Sequence, residues 1–431
     1  MKSPAFQIFG TDATVYSTGV KLAPGIPVFF AGGDLDPAEK PTGDTKAQAL
    51  AAMASLQETI TEAGFGLAQV VFVRAYLAPD KSGQVDYAGW NAAWNTVFNH
   101  PGNPHKPART TVGVPKLGVG HHFIEIEYIC AASDPSAMAA GSAKLKLPAT
   151  NPGLAPYGPL ASRIYWGMGV LPGTGLFWTA GMVRKNDAPP PAAGQSNTYA
   201  QSVSTLQNLA GNLASVGLSY KDVVYVRAFL APDAAQGGEF DHVGWNKAYD
   251  EFFHTAENPH KPARTTITTP TYGAFTPPLV NEVEVIAAFP QPPALFAQPD
   301  PKNANLRTYG AAASHIASGV AVKPGAALFF SAGTVPTQAG GNMETQALSA
   351  LAKLRENLAA AGLGFKDVIF LRAYIIPEAD GSLDRDGWSA AYLTCFNNPD
   401  QPHKPARTTI AVHSLPKPEW KIEIDVIAAV P

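Results

Sequence analysis

The chain has 431 residues, 46% of them hydrophobic, with a formal charge of −3 at pH 7 and two cysteines. This composition fits a soluble globular protein and excludes a disulfide framework and an extended basic face for nucleic acid. The segment Met1-Lys2-Ser3-Pro4 opens no long apolar stretch and no window reaches membrane-span length, so a cytoplasmic protein without membrane contact is expected.

Residues 16–22 and 28–31 read as two short strands joined by a turn at Pro24-Gly25. After the Gly32-Gly33 loop a helix opens near Gln48. Its Met53, Leu56 and Ile60 recur at spacings of three and four, and Gly64 marks its end as a left-handed cap. The strand over 70–77 places Val71, Val73, Ala75 and Leu77 on one face and Val70, Phe72, Arg74 and Tyr76 on the other. The small aliphatic face suits helix packing, and the aromatic face around an arginine suits an interface. A second helix over about 86–98 carries Trp90 and Trp94 as core residues. The loop through His105-Lys106 then enters a strand with Arg109 and Thr111 on one side and Thr110 on the other. The last strand, 123–131, alternates Ile124, Ile126 and Tyr128 with Glu125, Glu127 and Ile129. The unit is therefore α+β, a ββαβαββ layer with two helices on one face.

That unit occurs three times. Pro-Ala-Arg-Thr-Thr stands at 107–111, 262–266 and 405–409, each time after His-Lys. The three arginines, Arg109, Arg264 and Arg407, lie roughly 150 residues apart, a domain length rather than a solenoid period. Gln48, Gln201 and Gln346 keep the same spacing, as do Gly64, Gly217 and Gly362, and Trp90, Trp245 and Trp388. Three domains are expected, over 1–135, 136–292 and 293–431, with Pro/Ala/Gly-rich linkers at 133–159 and 290–302. Arg74, Arg227 and Arg372, mid-strand on the interface face, call for buried partners, and Glu127, Glu284 and Asp425 are the expected ones. His105, His260 and His403 read as loop packing, since no second metal ligand stands near any of them. Cys130 and Cys395 read as buried thiols.

The motif Pro-Ala-Arg-Thr-Thr, followed by Ile124-Glu125-Ile126-Glu127, by Glu282-Val283-Glu284 and by Ile422-Glu423-Ile424-Asp425, resembles the RidA family, also called YjgF or UK114. The resemblance covers nearly all of each copy. It implies a chorismate-mutase-like fold, a trimeric arrangement with a central β-barrel and helices outside, and ligand clefts between neighbouring units. Here that means a monomer acting as an intramolecular pseudo-trimer. It also implies hydrolytic deamination of a small carboxylate-bearing imine or enamine, with no cofactor and no metal. By the same resemblance Arg109, Arg264 and Arg407 bind the carboxylate, and Glu125, Glu282 and Glu423 position the attacking water. Gly32, Gly181 and Gly333 supply the small cleft-loop residue. Asn91 and Asn246 supply a cleft asparagine that becomes Ser389 in the third copy. Tyr16 is the cleft tyrosine, replaced by Trp166 and Ile316. Thr111, Thr266 and Thr409 stand where the family often has cysteine.

A guanidinium grips a carboxylate through two parallel hydrogen bonds, a carboxyl group can handle water and a departing amine, and glycine allows close approach of backbone to ligand. From the residues alone, the same arginines and glutamates fit an inter-domain ion-pair network. Two further functions remain open: another hydrolase or lyase reaction on a small carboxylate, as in the similarly arranged chorismatases, and a non-catalytic module binding small acids or a protein.

Overall fold

The computed structural model describes residues 6–9, 17, 19–117, 121–133, 151–157, 167–185, 196–272, 277–290, 303–309, 314, 317–338 and 340–431. The first copy contains β1 (Phe6–Phe9), β2 (Gly19–Leu22), β3 (Val28–Ala31), α1 (Thr45–Glu62), β4 (Val70–Leu77), α2 (Tyr87–Val97), β5 (Ala108–Gly113) and β6 (Ile124–Ala131). The second repeats this order as β7 (Leu154–Tyr157), β8 (Gly167–Val170), β9 (Leu176–Thr179), α3 (Asn197–Ala214), β10 (Val223–Leu230), α4 (His242–Tyr249), β11 (Ala263–Thr268) and β12 (Asn281–Ala288). The third follows as β13 (Leu306–Tyr309), β14 (Gly319–Val322), β15 (Leu328–Ser331), α5 (Met343–Ala360), β16 (Val368–Ile375), α6 (Arg385–Leu393), β17 (Ala406–Ala411) and β18 (Ile422–Ala429). Each copy thus carries one strand more than the expected ββαβαββ. In the second copy that strand is β7, inside the stretch read as linker; residues 134–150 and 291–302 lie outside the described residues.

The sheets are shared between copies. Their orders are β5-β4-β6-β3-β8-β7, β11-β10-β12-β9-β14-β13 and β17-β16-β18-β15-β2-β1. The leading hairpin of each copy therefore completes a neighbour's sheet: β7–β8 lies on β3, β13–β14 on β9, and β1–β2 on β15. On either side of the Pro24-Gly25 turn, β2 pairs with β15 of the third copy through Phe329↔Lys21 and Phe330↔Val20, while β3 pairs with β6 and β8. Three separate hydrogen-bonded sheets face one another, so the expected central barrel is not closed as one sheet.

Helices form where the apolar stripe predicts them. Met53, Leu56 and Ile60 are buried, as are Leu206, Leu209 and Leu213, and Leu351, Leu354 and Leu358. Asp44, Ser196 and Asn342 cap the long helices through their side chains. Just beyond these helices, Gly64, Gly217 and Gly362 adopt φ of +88°, +77° and +72°, the left-handed conformation that glycine takes without strain. The outer layer of each copy packs on Val73, Ala75 and Leu77 or their counterparts around a buried tryptophan. Strand alternation departs from the expectation at one place per copy. A bulge between Val70 and Phe72, repeated at Val223/Tyr225 and Val368/Phe370, turns Val70 toward the helices and Val71 toward the centre. The bulge carbonyls are held by His105, His260 and His403, whose Nε2–H groups donate to Val70 (2.5 Å), Val223 (2.6 Å) and Val368 (2.5 Å).

The inner faces of the three sheets meet in a common core. Phe72 packs on Phe330 and Phe30 on Tyr225, joining copies with ring centroids 6.4 and 6.3 Å apart. Beside these rings lies a closed cycle of ion pairs: Arg74, Glu127, Arg227, Glu284, Arg372 and Asp425, back to Arg74. All six side chains are at least nine-tenths buried. The carboxylates expected for these arginines are the ones found, each bridging its own copy to the next.

Candidate ligand clefts between the copies

The ladder that aligns the ion-pair cycle also fixes the clefts. Glu125 stands two residues before Glu127 on β6, and Tyr76, its partner on β4, stands two residues beyond Arg74. Glu125 therefore emerges toward the next copy, as do Glu282 and Glu423 from β12 and β18. Each last strand is held at its start by the helix glutamine. Gln48 Nε2 donates to the His121 carbonyl (3.1 Å) while its Oε1 accepts from Phe123 N–H (2.8 Å). Gln201 and Gln346 do the same for Pro278 and Val280, and for Glu419 and Lys421. The repeat spacing singles out these glutamines, but only the structure shows that they place the acidic strand.

The arginine of one copy meets the glutamate of another. Arg109 of the first copy shares a cleft with Gly333 and Glu423 of the third. Tyr87, Trp90, Asn91 and Thr111 supply one wall of this cleft and Val335, Pro416 and Trp420 the other, enclosing about 230 Å³. The Arg109 guanidinium lies 4.8 Å over the Trp94 ring and donates from Nη2 to Asn91 Oδ1 at 2.9 Å. The Gly333 amide donates to the Arg109 carbonyl at 3.1 Å. In the second cleft Arg264 donates to Asn246 Oδ1 at 2.9 Å and stacks 4.5 Å over Tyr249, opposite Glu125 of the first copy. In the third, Arg407 stacks 4.5 Å over Tyr392, its carbonyl accepts from Gly181 N–H at 3.2 Å, and Glu282 of the second copy faces it.

Thr111 lines the first cleft, and Thr266 and Thr409 hold the equivalent strand positions. Each hydroxyl accepts from the indole N–H of Trp90, Trp245 or Trp388 at 3.0 to 3.1 Å, locking the ring beneath the arginine. The small-residue position needs a correction. Asp34, Met182 and Thr334 make equivalent bridges to Ile126, Val283 and Ile424, so the counterpart of Gly181 and Gly333 is Gly33, one residue beyond Gly32. A Cβ at Gly33, Gly181 or Gly333 would collide with Oε1 of Glu125, Glu282 or Glu423. Tyr16, Trp166 and Ile316 lie outside the described residues.

The three glutamates share one electrostatic state. Burial, helped by Glu127 and Asp34 for Glu125, by Glu284 for Glu282 and by Asp425 for Glu423, pushes each carboxyl up to about 8 despite the facing arginines. At neutral pH they are carboxylic acids that can donate as well as accept a hydrogen bond. A cleft with a guanidinium opposite a neutral acid keeps a positive charge, which suits an anion. Among the described residues no group of three His, Cys, Asp or Glu side chains could hold a metal ion, and no helix is long and apolar enough to cross a membrane.

Residues 11–132 and 311–430, more than half of the chain, match the family model described as Endoribonuclease L-PSP. The chain belongs to the endoribonuclease L-PSP family. The match spans the first and third copies, and the second joins them through the shared motif and strand order. Members of the YjgF and Rid group are among the similar solved structures. Escherichia coli YjgF is 25% identical over 24% of this chain and 81% of its own, with a TM-score of 0.22. Escherichia coli TdcF, solved with bound serine, is 25% identical over 29% and 94%, with a TM-score of 0.22. A Yersinia pestis Rid-family protein of unknown function, YyfB, is 20% identical over 30% and 99%, with a TM-score of 0.25.

Proposed function

We propose that the clefts hydrolyse small 2-imino or enamine carboxylates to keto acids and ammonia. The observation that carries this reading is the pairing, three times over, of a guanidinium stacked on an aromatic ring with a buried glutamate of the neighbouring copy, whose carboxyl burial raises to about 8. The arginine takes the substrate carboxylate in a fork and so fixes the C=N carbon beside the carboxyl group. The glutamic acid donates its proton to the imine nitrogen as water attacks carbon and the C=N π pair moves to nitrogen. The resulting carboxylate takes a proton from the attacking water, giving a neutral carbinolamine. The restored glutamic acid then protonates the amine; the C–N bond breaks as C=O forms, the hydroxyl proton passes back to the glutamate carboxylate, and ammonia and keto acid leave. Imines hydrolyse readily without help, so orientation and one proton shuttle are enough, and no cofactor enters the scheme.

The carboxylate-sized cleft and the net charge of −3 favour a small acid over a polyanion such as RNA. Because each cleft takes its arginine and its glutamate from different copies, one chain supplies complete sites, and the working unit in this reading is a monomer with a pseudo-trimeric arrangement.

The test uses a 2-imino acid generated in situ by an amino-acid oxidase, with keto acid release followed against the unaided rate. Acceleration by the wild-type chain, reduced stepwise by Arg109→Ala, Arg264→Ala and Arg407→Ala in folded protein, supports the reading. Carboxylate-dependent thermal stabilisation without acceleration points instead to a binding module. Light scattering that returns an obligate trimer of chains overturns the single-chain arrangement.

A further inference from the structure

One cleft position differs in kind among the copies. Asp86, Asp241 and Asp384 cap the second helix of each copy by accepting from Gly89, Gly244 and Gly387 N–H at 2.7 to 2.8 Å. The next residue is therefore launched from the same point each time, and it is Tyr87, His242 or Arg385. Tyr87 lines the Arg109 cleft, and its hydroxyl crosses to the third copy to donate to the Ser414 carbonyl at 2.9 Å. Arg385 makes the equivalent crossing at the next junction around the molecule: its Nη2 donates to the Tyr272 carbonyl of the second copy at 3.2 Å. It thereby brings a second guanidinium to the junction already lined by Arg407 and Glu282. The first guanidinium is also held differently there. Ser389 replaces the asparagine that orients Arg109 and Arg264, so among the described residues Arg407 keeps only its stacking on Tyr392 and Trp388.

We propose that the Arg407–Arg385 cleft selects a substrate with two acidic groups, Arg407 taking the carboxylate beside the reacting carbon and Arg385 a second one at the far end of a short chain. The proposal rests on the reading of Arg407 as a carboxylate anchor. Its physical basis is charge. Arg385 and Arg407 act on each other as like charges, and burial together with Arg385 pulls the Arg407 guanidinium below its usual range. Glu282, the acid facing both, is neutral near pH 7, so it offsets neither. A dianion lying between them meets a guanidinium at each end, whereas a monoanion draws on one of the two charges. The Arg109 cleft offers only the neutral phenol of Tyr87 at this place. In the second cleft His242 is uncharged, because burial, with Arg264 and Lys116, pushes its imidazole down to about 4.

The test compares 2-oxoglutarate with 2-oxopentanoate, acids of equal chain length that differ in the distal carboxylate, by calorimetric titration. The Arg109→Ala/Arg264→Ala protein leaves the third cleft as the one with its anchor. There 2-oxoglutarate is expected to bind about tenfold more tightly, the worth of one good charge-assisted contact. Adding Arg385→Ala should weaken 2-oxoglutarate to the level of 2-oxopentanoate and leave the latter unchanged, while Arg385→Lys should keep most of the preference. Equal affinities before the Arg385 change, or a preference that survives Arg385→Ala, overturn the proposal while leaving the anchor reading intact. Binding of neither acid, or of both after Arg407→Ala, overturns the anchor reading and the proposal together. If the double variant does not fold, the single Arg385→Ala protein is compared with wild type instead: the thermal shift from 2-oxoglutarate must shrink and that from 2-oxopentanoate must not, and any other pattern overturns the proposal.

Discussion

Arg227 Nη2 lies 2.5 Å from Glu127 Oε1, although one belongs to the second copy and the other to the first. The same carboxylate accepts from Arg74, from the Tyr225 hydroxyl at 2.7 Å and from Thr265 Oγ1 at 3.0 Å. Burial alone would raise this carboxyl, but Arg227 and Arg74 with the Tyr225 O–H hold it down at about 2. Four partners on one buried carboxylate tie the position of Glu125, two residues away, to the assembly of the copies.

Removing one member of this cycle should therefore cost stability before it costs chemistry. Glu127→Gln leaves two buried guanidiniums short of a counter-charge, and breaking a buried pair in this way costs about 3–5 kcal/mol. The expected result is a lower urea midpoint. Because the Glu127 carboxyl is depressed in the folded state, its contribution is present above the unfolded value of 4.5 and fades as pH falls toward 2. The difference between wild type and Glu127→Gln should thus narrow between pH 4.5 and 2. A constant difference across that range would falsify the assignment.

The exchanged hairpins make a separate prediction. Val20 and Leu22 of β2 are buried against β15 of the third copy, and without β2 that strand would present an open edge. Deleting residues 1–23 should shift the protein from its native size to larger species on size exclusion. Retention of a native-sized species of unchanged thermal stability would show that β2 does not close the ring.

Much of each copy is legible in the sequence because local chemistry fixes it. The leucine stripes, the left-handed glycines, the buried tryptophans and the partners of Arg74, Arg227 and Arg372 follow from periodicity and from the need to pair buried charge. The hairpin exchange is not legible, since a repeated sequence gives β2 the same hydrogen-bonding partners in its own copy as in a neighbour. The Val70 bulge escapes alternation because valines flank it on both sides and fit either face. Gly32 stands for Gly33 when the sequence alone is read, because the first copy has two adjacent glycines where the others have Ala180-Gly181 and Ala332-Gly333; only the ladder separates them. Arg385 is hidden for the opposite reason: it breaks the repeat, and attention to shared residues passes over it.

The glycine position can be tested directly. At Gly333 a methyl group would occupy the place of Glu423 Oε1, so Gly333→Ala must displace that carboxyl from the Arg109 cleft. Overpacking of this kind costs about 1–3 kcal/mol. In a protein whose other two clefts carry Arg109→Ala and Arg407→Ala, so that the Arg264–Glu125 cleft is left, the equivalent change Gly33→Ala should bring imine hydrolysis to the unaided rate, whereas Gly32→Ala should retain activity. The reverse result would restore Gly32 as the cleft residue.

The state of the cleft glutamates predicts a pH dependence with a defined sign. Glu423 is raised from 4.5 to about 8 by burial and by Asp425. Between those values the folded chain keeps a proton that the unfolded chain releases, so stability falls as pH rises through the window. Glu125 and Glu282 act in the same direction. Glu423→Gln cannot ionise, and urea unfolding at pH 5 and pH 8 should show a smaller loss for this variant than for wild type. If the carboxylic acid form is the working one, hydrolysis should also decline above about pH 8 in wild type. A rate that instead rises through pH 8 would mean that the carboxylate does the chemistry and that substrate binding, not burial, sets its charge.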